Sequence, residues 1–297
     1  EVEIVDIEPD EYGYTVIVPG FGFLRDIYTE AQVINWQLTR TGAVSPQMPG
    51  ITIPYEAFPG SIGVMLGDPE IDKILDREAG LAGAGGAILG PLGAGALPAD
   101  LCGEGGTQES RCLRTVPPRE NGGNMDVQQQ QIGTRMLFPC FIDGCGLFVG
   151  DVHYAQGDGE VAGTAIEMGS VTTLRVVKIY PGKAKDLSMP ATKGNDQIID
   201  MEPARYYQTI GIPLKSVGEM PPTHKYLTGA NIENLSNLSE DLTIAARHAL
   251  LQMIDYLTGE HGLTRVQAYV LCSVAVDLRV GQGVDVPNNV VSATLNL

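Results

Sequence analysis

Glycine and proline interrupt this chain so often that regular structure must come in short pieces. There are 37 glycines and 19 prolines among 297 residues. Between them lie brief runs rich in Val, Ile, Thr and aromatic residues. Examples are Glu3 to Ile7, Tyr14 to Val18, Ile51 to Ile53, Ile62 to Val64, Met136 to Phe138, Gly146 to Val149, Gly163 to Met168 and Val171 to Ile179. Apolar runs bounded by turn residues read as strands. Helical signals are fewer. Asp68-Pro69-Glu70 sets an N-cap before a proline at the first helical position, predicting a helix that stops at Gly80. Ser239 is placed to cap a second helix running to Leu257 and closed by Gly259, and a third begins near Thr264 and reaches about Val276. Val290 to Leu297 returns to strand. The expectation is an α+β fold, β-dominated with sandwich-like sheets, with a C-terminal helical pair. Residues 1–180 form a β-rich domain carrying the glycine-rich motifs, and 181–297 an α+β domain that completes the fold.

The formal net charge of −17 would repel a phosphate backbone or an anionic membrane surface, so neither nucleic acid nor membrane is an expected partner. No apolar run approaches the roughly 18 residues that cross a bilayer. Gly83 to Ile88 lacks the last glycine of a dinucleotide loop and follows a helix, so Gly80 to Gly95 reads as a mobile or interface loop. Five cysteines without a CxxC pair read as free thiols of a reducing, cytoplasmic setting. Pro59-Gly60-Ser61-Ile62-Gly63 fails the first position of a nucleophile elbow.

Two segments carry chemistry. Gly150 to Glu167 places Asp151, His153, Asp158, Glu160 and Glu167 among glycines and apolar residues, at the end of one strand, in a loop and at the start of the next. Asp151 and His153 are two apart, which on a strand puts them on one face, within reach of one metal ion. Carboxylates gathered in a partly buried place repel unless a cation or a proton resolves the conflict. Asn121-Gly122-Gly123-Asn124 reads as a tight loop with positive φ at its glycines, able to bring backbone close to a ligand, with Asp126 as a further carboxylate.

Pro117 to Asp126 and Gly150 to Glu160 resemble the acetamidase/formamidase family, supported by Pro19-Gly20-Phe21-Gly22, Ile62-Gly63-Val64 and Val284-Asp285-Val286-Pro287-Asn288. The resemblance spans nearly all of the chain. It implies a β-rich α+β protein that binds metal, forms homo-oligomers and hydrolyses formamide or acetamide to a carboxylate and ammonia, with lactam rings as an alternative substrate. Family members carry a long segment before the position of Glu1, so a missing or separate N-terminal fragment is expected. The assignment that follows makes Asp126, Asp151, His153 and Glu167 ligands of a divalent metal, zinc first and calcium second. Glu160 is the base and Asn124 orients the substrate, with Asn121 and Gly123 as substrate-binding positions. A non-catalytic, metal-stabilised subunit of an oligomer is the contrasting reading.

Overall fold

The computed structural model describes residues 1–83, 98–102, 105–183, 187–194, 205–217, 237–238, 241–284 and 289–297. Most of the glycine-rich stretch expected as a loop, Ser239, and most of the Val284 to Asn288 stretch lie outside them. The fold is α+β and β-dominated, and the strand pairings described below are antiparallel. In chain order the strands are β1 Val2–Ile17, β2 Gln32–Thr39, β3 Gly42–Val44, β4 Thr52–Ile53, β5 Phe58–Gly63, β6 Gly122–Asn124, β7 Arg135–Leu137, β8 Phe148–His153, β9 Glu167–Val176, β10 Ala191–Lys193, β11 Tyr206–Gly211, β12 Leu214–Lys215, β13 Asn237–Leu238, β14 Val276–Gln282 and β15 Val290–Asn296. The helices are α1 Asp68–Gly83, α2 Ala99–Cys102, α3 Leu242–His261 and α4 Arg265–Ala275. Among the described residues no helix is long and apolar enough to cross a membrane.

The two N-terminal strands expected from sequence are one continuous strand, β1. The chain divides into two compact units, and the division falls inside β1, β5, β8 and β9. The first unit comprises Glu1–Asp6, Pro59–Val152 and Thr172–Asn195. In it β7 pairs with the start of β1 and with β10, and β5 pairs with β6. Glu1 and Glu3 meet Arg135, Lys193 and Arg175, so the charged edge of this sheet is internally compensated.

The second unit comprises Ile7–Phe58, His153–Val171 and Asp196–Leu297. Here β1 to β4 form successive antiparallel pairs, and β11, β15 and β14 form another sheet. Trp36, Met48, Tyr154 and Tyr269 are buried in its core with one face of α3: Ala249, Leu250, Met253, Ile254 and Leu257. That spacing turns a single stripe of α3 inward, each large apolar side chain contributing about 1.5–3 kcal/mol. Gly211 of β11 allows the close approach: a Cβ there would sit 2.0 Å from Ala245 O and 2.4 Å from Ala249 N of α3.

Helix ends depart from expectation where several residues compete. Gly80 does not stop α1, which runs to Gly83, because a lone interior glycine costs only about 1 kcal/mol and no proline follows at once. The cap of α3 is Asp241, whose carboxylate accepts from Thr243 N, and the helix passes Gly259 to end at Gly262, which takes the left-handed C-cap conformation at φ 66°. Thr264 caps α4 with a full capping box.

The cysteines correct the free-thiol expectation. Cys102 pairs with Cys112 and Cys140 with Cys145. Cys272 is free and fully enclosed, which pushes its thiol well above the usual range. Titration of the denatured, unreduced protein is expected to find one thiol, and five after reduction. Five before reduction would mean that neither bridge forms.

Candidate metal and acid/base site

The second unit builds a cluster of donor groups from one strand pair. β8 ends at His153, β9 begins at Glu167, and the two residues stand opposite each other in antiparallel register. Directly opposed side chains share a face of a sheet. His153 Nε2 accordingly lies 3.3 Å from Glu167 Oε2 and 4.0 Å from Glu160 Oε1, with the imidazole 1% exposed and the carboxylates 15% and 20%. The ring is fixed by Nδ1, 2.8 Å from Gln156 Oε1, and by the edge-to-face ring of Phe58 at 5.2 Å. A glutamine oxygen only accepts, so Nδ1 carries the hydrogen, and in the neutral form of the ring Nε2 offers its lone pair toward the two carboxylates. Three electron-rich groups then converge in a place with little water. A metal cation or a proton is needed to hold them together.

The loop that carries Glu160 is held by α4. Gly157 N donates to Ser273 O, Ala162 N to Ser273 Oγ, and Ser273 Oγ to Thr164 O. The Tyr269 hydroxyl donates to Val161 O and accepts from Leu24 N; burial pushes it up to about 12, so it stays a neutral donor. Gly157 lies so close to β14 that a Cβ would sit 2.3 Å from Val276 O. Glu160 itself adopts φ 42°.

The first unit arranges the other predicted residues. In the β5–β6 pair, Ser61 stands opposite Asn124, Ile62 opposite Gly123 and Gly63 opposite Gly122. Gly122 and Gly123 both take φ 93°, as their sequence suggested. Asn121 donates through Nδ2 to Val64 O at 2.6 Å, so its amide fastens the turn to the chain after β5. Met125 N and Asp126 N both donate to Gly60 O. Crossed ion pairs explain the Arg-Glu of the preceding motif. On α1, Glu78 takes Arg119 and Arg114, while Arg77 grips Glu120 through both guanidinium ends. Arg114, Arg119 and Glu78 are 9%, 7% and 13% exposed.

Among the described residues, four other than glycine have a left-handed backbone: Asp126 at 52°, Cys145 at 57°, Asp151 at 53° and Glu160 at 42°. Three of them are acids singled out from sequence. Such backbone is held at about 1–3 kcal/mol each and persists where surrounding structure imposes it, characteristically at functional sites. Within the second unit, His153, Glu160 and Glu167 carry the donor types of a cation site, while Asp126 and Asp151 belong to the first unit. Sequence reading missed Gln156, Phe58, Ser61, Tyr269 and Ser273. Gln156 alone had a local signal, three residues after His153. The others become neighbours only through pairing or helix docking.

A model of the Acetamidase/Formamidase family matches residues 1–297. The chain is 31% identical to the acetamidase of Mycolicibacterium smegmatis, the alignment covering 91% of this chain and 67% of that protein. It is 28% identical to the formamidase of Methylophilus methylotrophus, over 97% and 69%. Among solved structures it resembles the gamma lactamase from Delftia acidovorans, with a TM-score of 0.82 and 30% identity, covering 99% of this chain and 71% of that one.

The helix–loop clamp predicts two outcomes. Glu78→Ala removes the carboxylate that the buried Arg114 and Arg119 guanidinium groups share and is expected to lower unfolding free energy by about 3 kcal/mol in urea titration. The hydrogen bonds from Arg77 hold the Glu120 carboxyl at about 2, below its ordinary 4.5. A lowered folded-state value means the stabilisation is complete above 4.5 and is lost as pH falls toward 2. The stability gap between wild type and Glu120→Gln should therefore be constant near neutrality and close on approaching pH 2.

Proposed function

Since the chain belongs to the acetamidase/formamidase family, we propose that it is a metal-dependent hydrolase of short aliphatic amides, releasing a carboxylate and ammonia. The observation that carries the metal reading is the buried His153 imidazole turned toward Glu160 and Glu167, in a chain that also bends Asp126, Asp151 and Glu160 into left-handed backbone. His153, Glu167, Asp151 and Asp126 are the proposed ligands. One imidazole among carboxylates fits zinc, and calcium is the second choice because it prefers oxygen. When bound, a divalent ion supplies positive charge that polarises a carbonyl and acidifies water.

The remaining work falls to side chains. Amides resist hydrolysis because nitrogen donates into the carbonyl and leaves poorly without a proton. Glu160 takes the proton of the attacking water and returns it to the departing nitrogen. Asn124 presents its carboxamide to the substrate amide. Asn121, through its bond to Val64, keeps the Gly122–Gly123 backbone in place beside it. A second reading, hydrolysis of a cyclic amide by the same groups, is favoured by the similarity to the gamma lactamase. A homo-oligomer belongs to the same proposal, supported by exposed Tyr12, Tyr14 and Val33 on one face of the β1–β2 pair. Cytoplasmic placement and the two disulfides pull in opposite directions, because such bonds persist in oxidising compartments, and thiol titration of freshly extracted protein decides between them.

The test is ammonia release from formamide, acetamide and a γ-lactam by metal-replete protein. Glu160→Gln is expected to lower kcat by roughly 10²–10⁴ while keeping bound metal and fold. Full turnover by Glu160→Gln would remove Glu160 from the base role. No ammonia from any of the three with wild type would end the amidase reading.

A further inference from the structure

Ser61 has no part in the chemistry just described, yet it stands at the middle of the first unit's polar residues. Its hydroxyl oxygen lies 2.8 Å from Asn124 Oδ1 and 3.3 Å from Asp151 Oδ2. Both neighbours are acceptors and a hydroxyl carries one proton, so the shorter bond, to Asn124, takes the larger share. The direction of the Asn124 amide is set independently: Nδ2 donates to Val116 O at 3.2 Å, which turns Oδ1 toward Ser61. Val116 and Ser61 thus hold the two ends of one carboxamide. A primary carboxamide has two N–H donors and two acceptor lone pairs. One of each is committed here, leaving one N–H and one lone pair among the described residues. That remaining pair complements the carbonyl and the N–H of an unsubstituted amide. Rotation by half a turn would exchange donor for acceptor and destroy the match.

We infer that Ser61 is a positioning residue that fixes the facing of the Asn124 carboxamide and so sets the preference of the site for amides that retain an N–H. This rests on the reading of Asn124 as the residue that orients the substrate. In the Ser61→Ala variant Val116 alone constrains Asn124. Because orientation affects bound substrate and transition state alike, the loss should appear in KM rather than kcat.

The experiment compares acetamide with N,N-dimethylacetamide, which has no N–H to offer, for wild type, Ser61→Ala and Ser61→Thr, with metal content measured on each. Ser61→Ala is expected to raise KM for acetamide about tenfold, the value of roughly one hydrogen bond. Its kcat and metal content should match wild type, and its acetamide-over-dimethylacetamide selectivity should fall by the same factor. Ser61→Thr, which keeps the hydroxyl, should restore both. An unchanged KM in Ser61→Ala, no rescue by threonine, or loss of bound metal in Ser61→Ala (which would move the effect to Asp151) overturns the inference while the amidase reading stands. A wild type that releases no ammonia overturns both.

Discussion

The antiparallel register that sets His153 opposite Glu167 is the constraint on which the site depends. A slip of one residue would turn His153 to the other face of the sheet and leave Glu167 without it. The register also fixes the loop between them. Its ends are zipped by Tyr154 N to Ile166 O and Ile166 N to Ala155 O, which forces residues 157–163 to fold back on themselves. Glu160 is brought to the imidazole by that return, at the expense of a left-handed backbone. Helix α4 then supplies, through Ser273 and Tyr269, the hydrogen bonds that hold the returning strand of backbone in place. Helix α4 therefore positions the loop without offering a reactive group to it.

A similar division of labour runs through the first unit. Helix α1 grips the Pro117 to Asn124 motif through ion pairs, Lys73 and Arg77 to Glu120 and Glu78 to Arg119, so its adjacent residues Arg77 and Glu78 act in opposite senses. The arrangement determines where the motif lies as well as how firmly it is held. A motif displaced by one residue would put like charges together. The Gly122–Gly123 turn, Asn124 and Asp126 inherit that placement.

Much of this was legible in the sequence, for reasons that can be named. His153 and Glu167 were recognised because polar residues interrupting apolar strand patterns stand out, and the strand–loop–strand reading of 150–167 needed only turn signals. Gly122 and Gly123 announced a positive-φ turn that both adopt. The start of α4 near Thr264 was legible from the local pattern, and the structure adds the capping box that Thr264 makes with Gln267. What was missed depends on contacts distant in sequence. Ser61 looked like a failed catalytic motif because its meaning lies in Asn124 and Asp151, more than sixty residues away. The cysteine pairing was hidden because spacing does not determine connectivity. The left-handed acids were invisible because side-chain type biases φ only weakly, and surrounding structure imposed it. Helix ends failed where two glycines competed for one stop, and backbone geometry at Gly262 decided.

The central claim is that His153 and its neighbouring carboxylates hold a divalent metal ion. X-ray absorption at the metal edge of the purified, metal-replete protein tests it most directly. The account predicts bound metal whose shell includes an imidazole nitrogen, at about 2.0–2.1 Å if the ion is zinc, and loss of that metal in His153→Ala. A protein that retains no divalent ion after exchange, or one whose bound metal has no imidazole nitrogen in its shell, would contradict it.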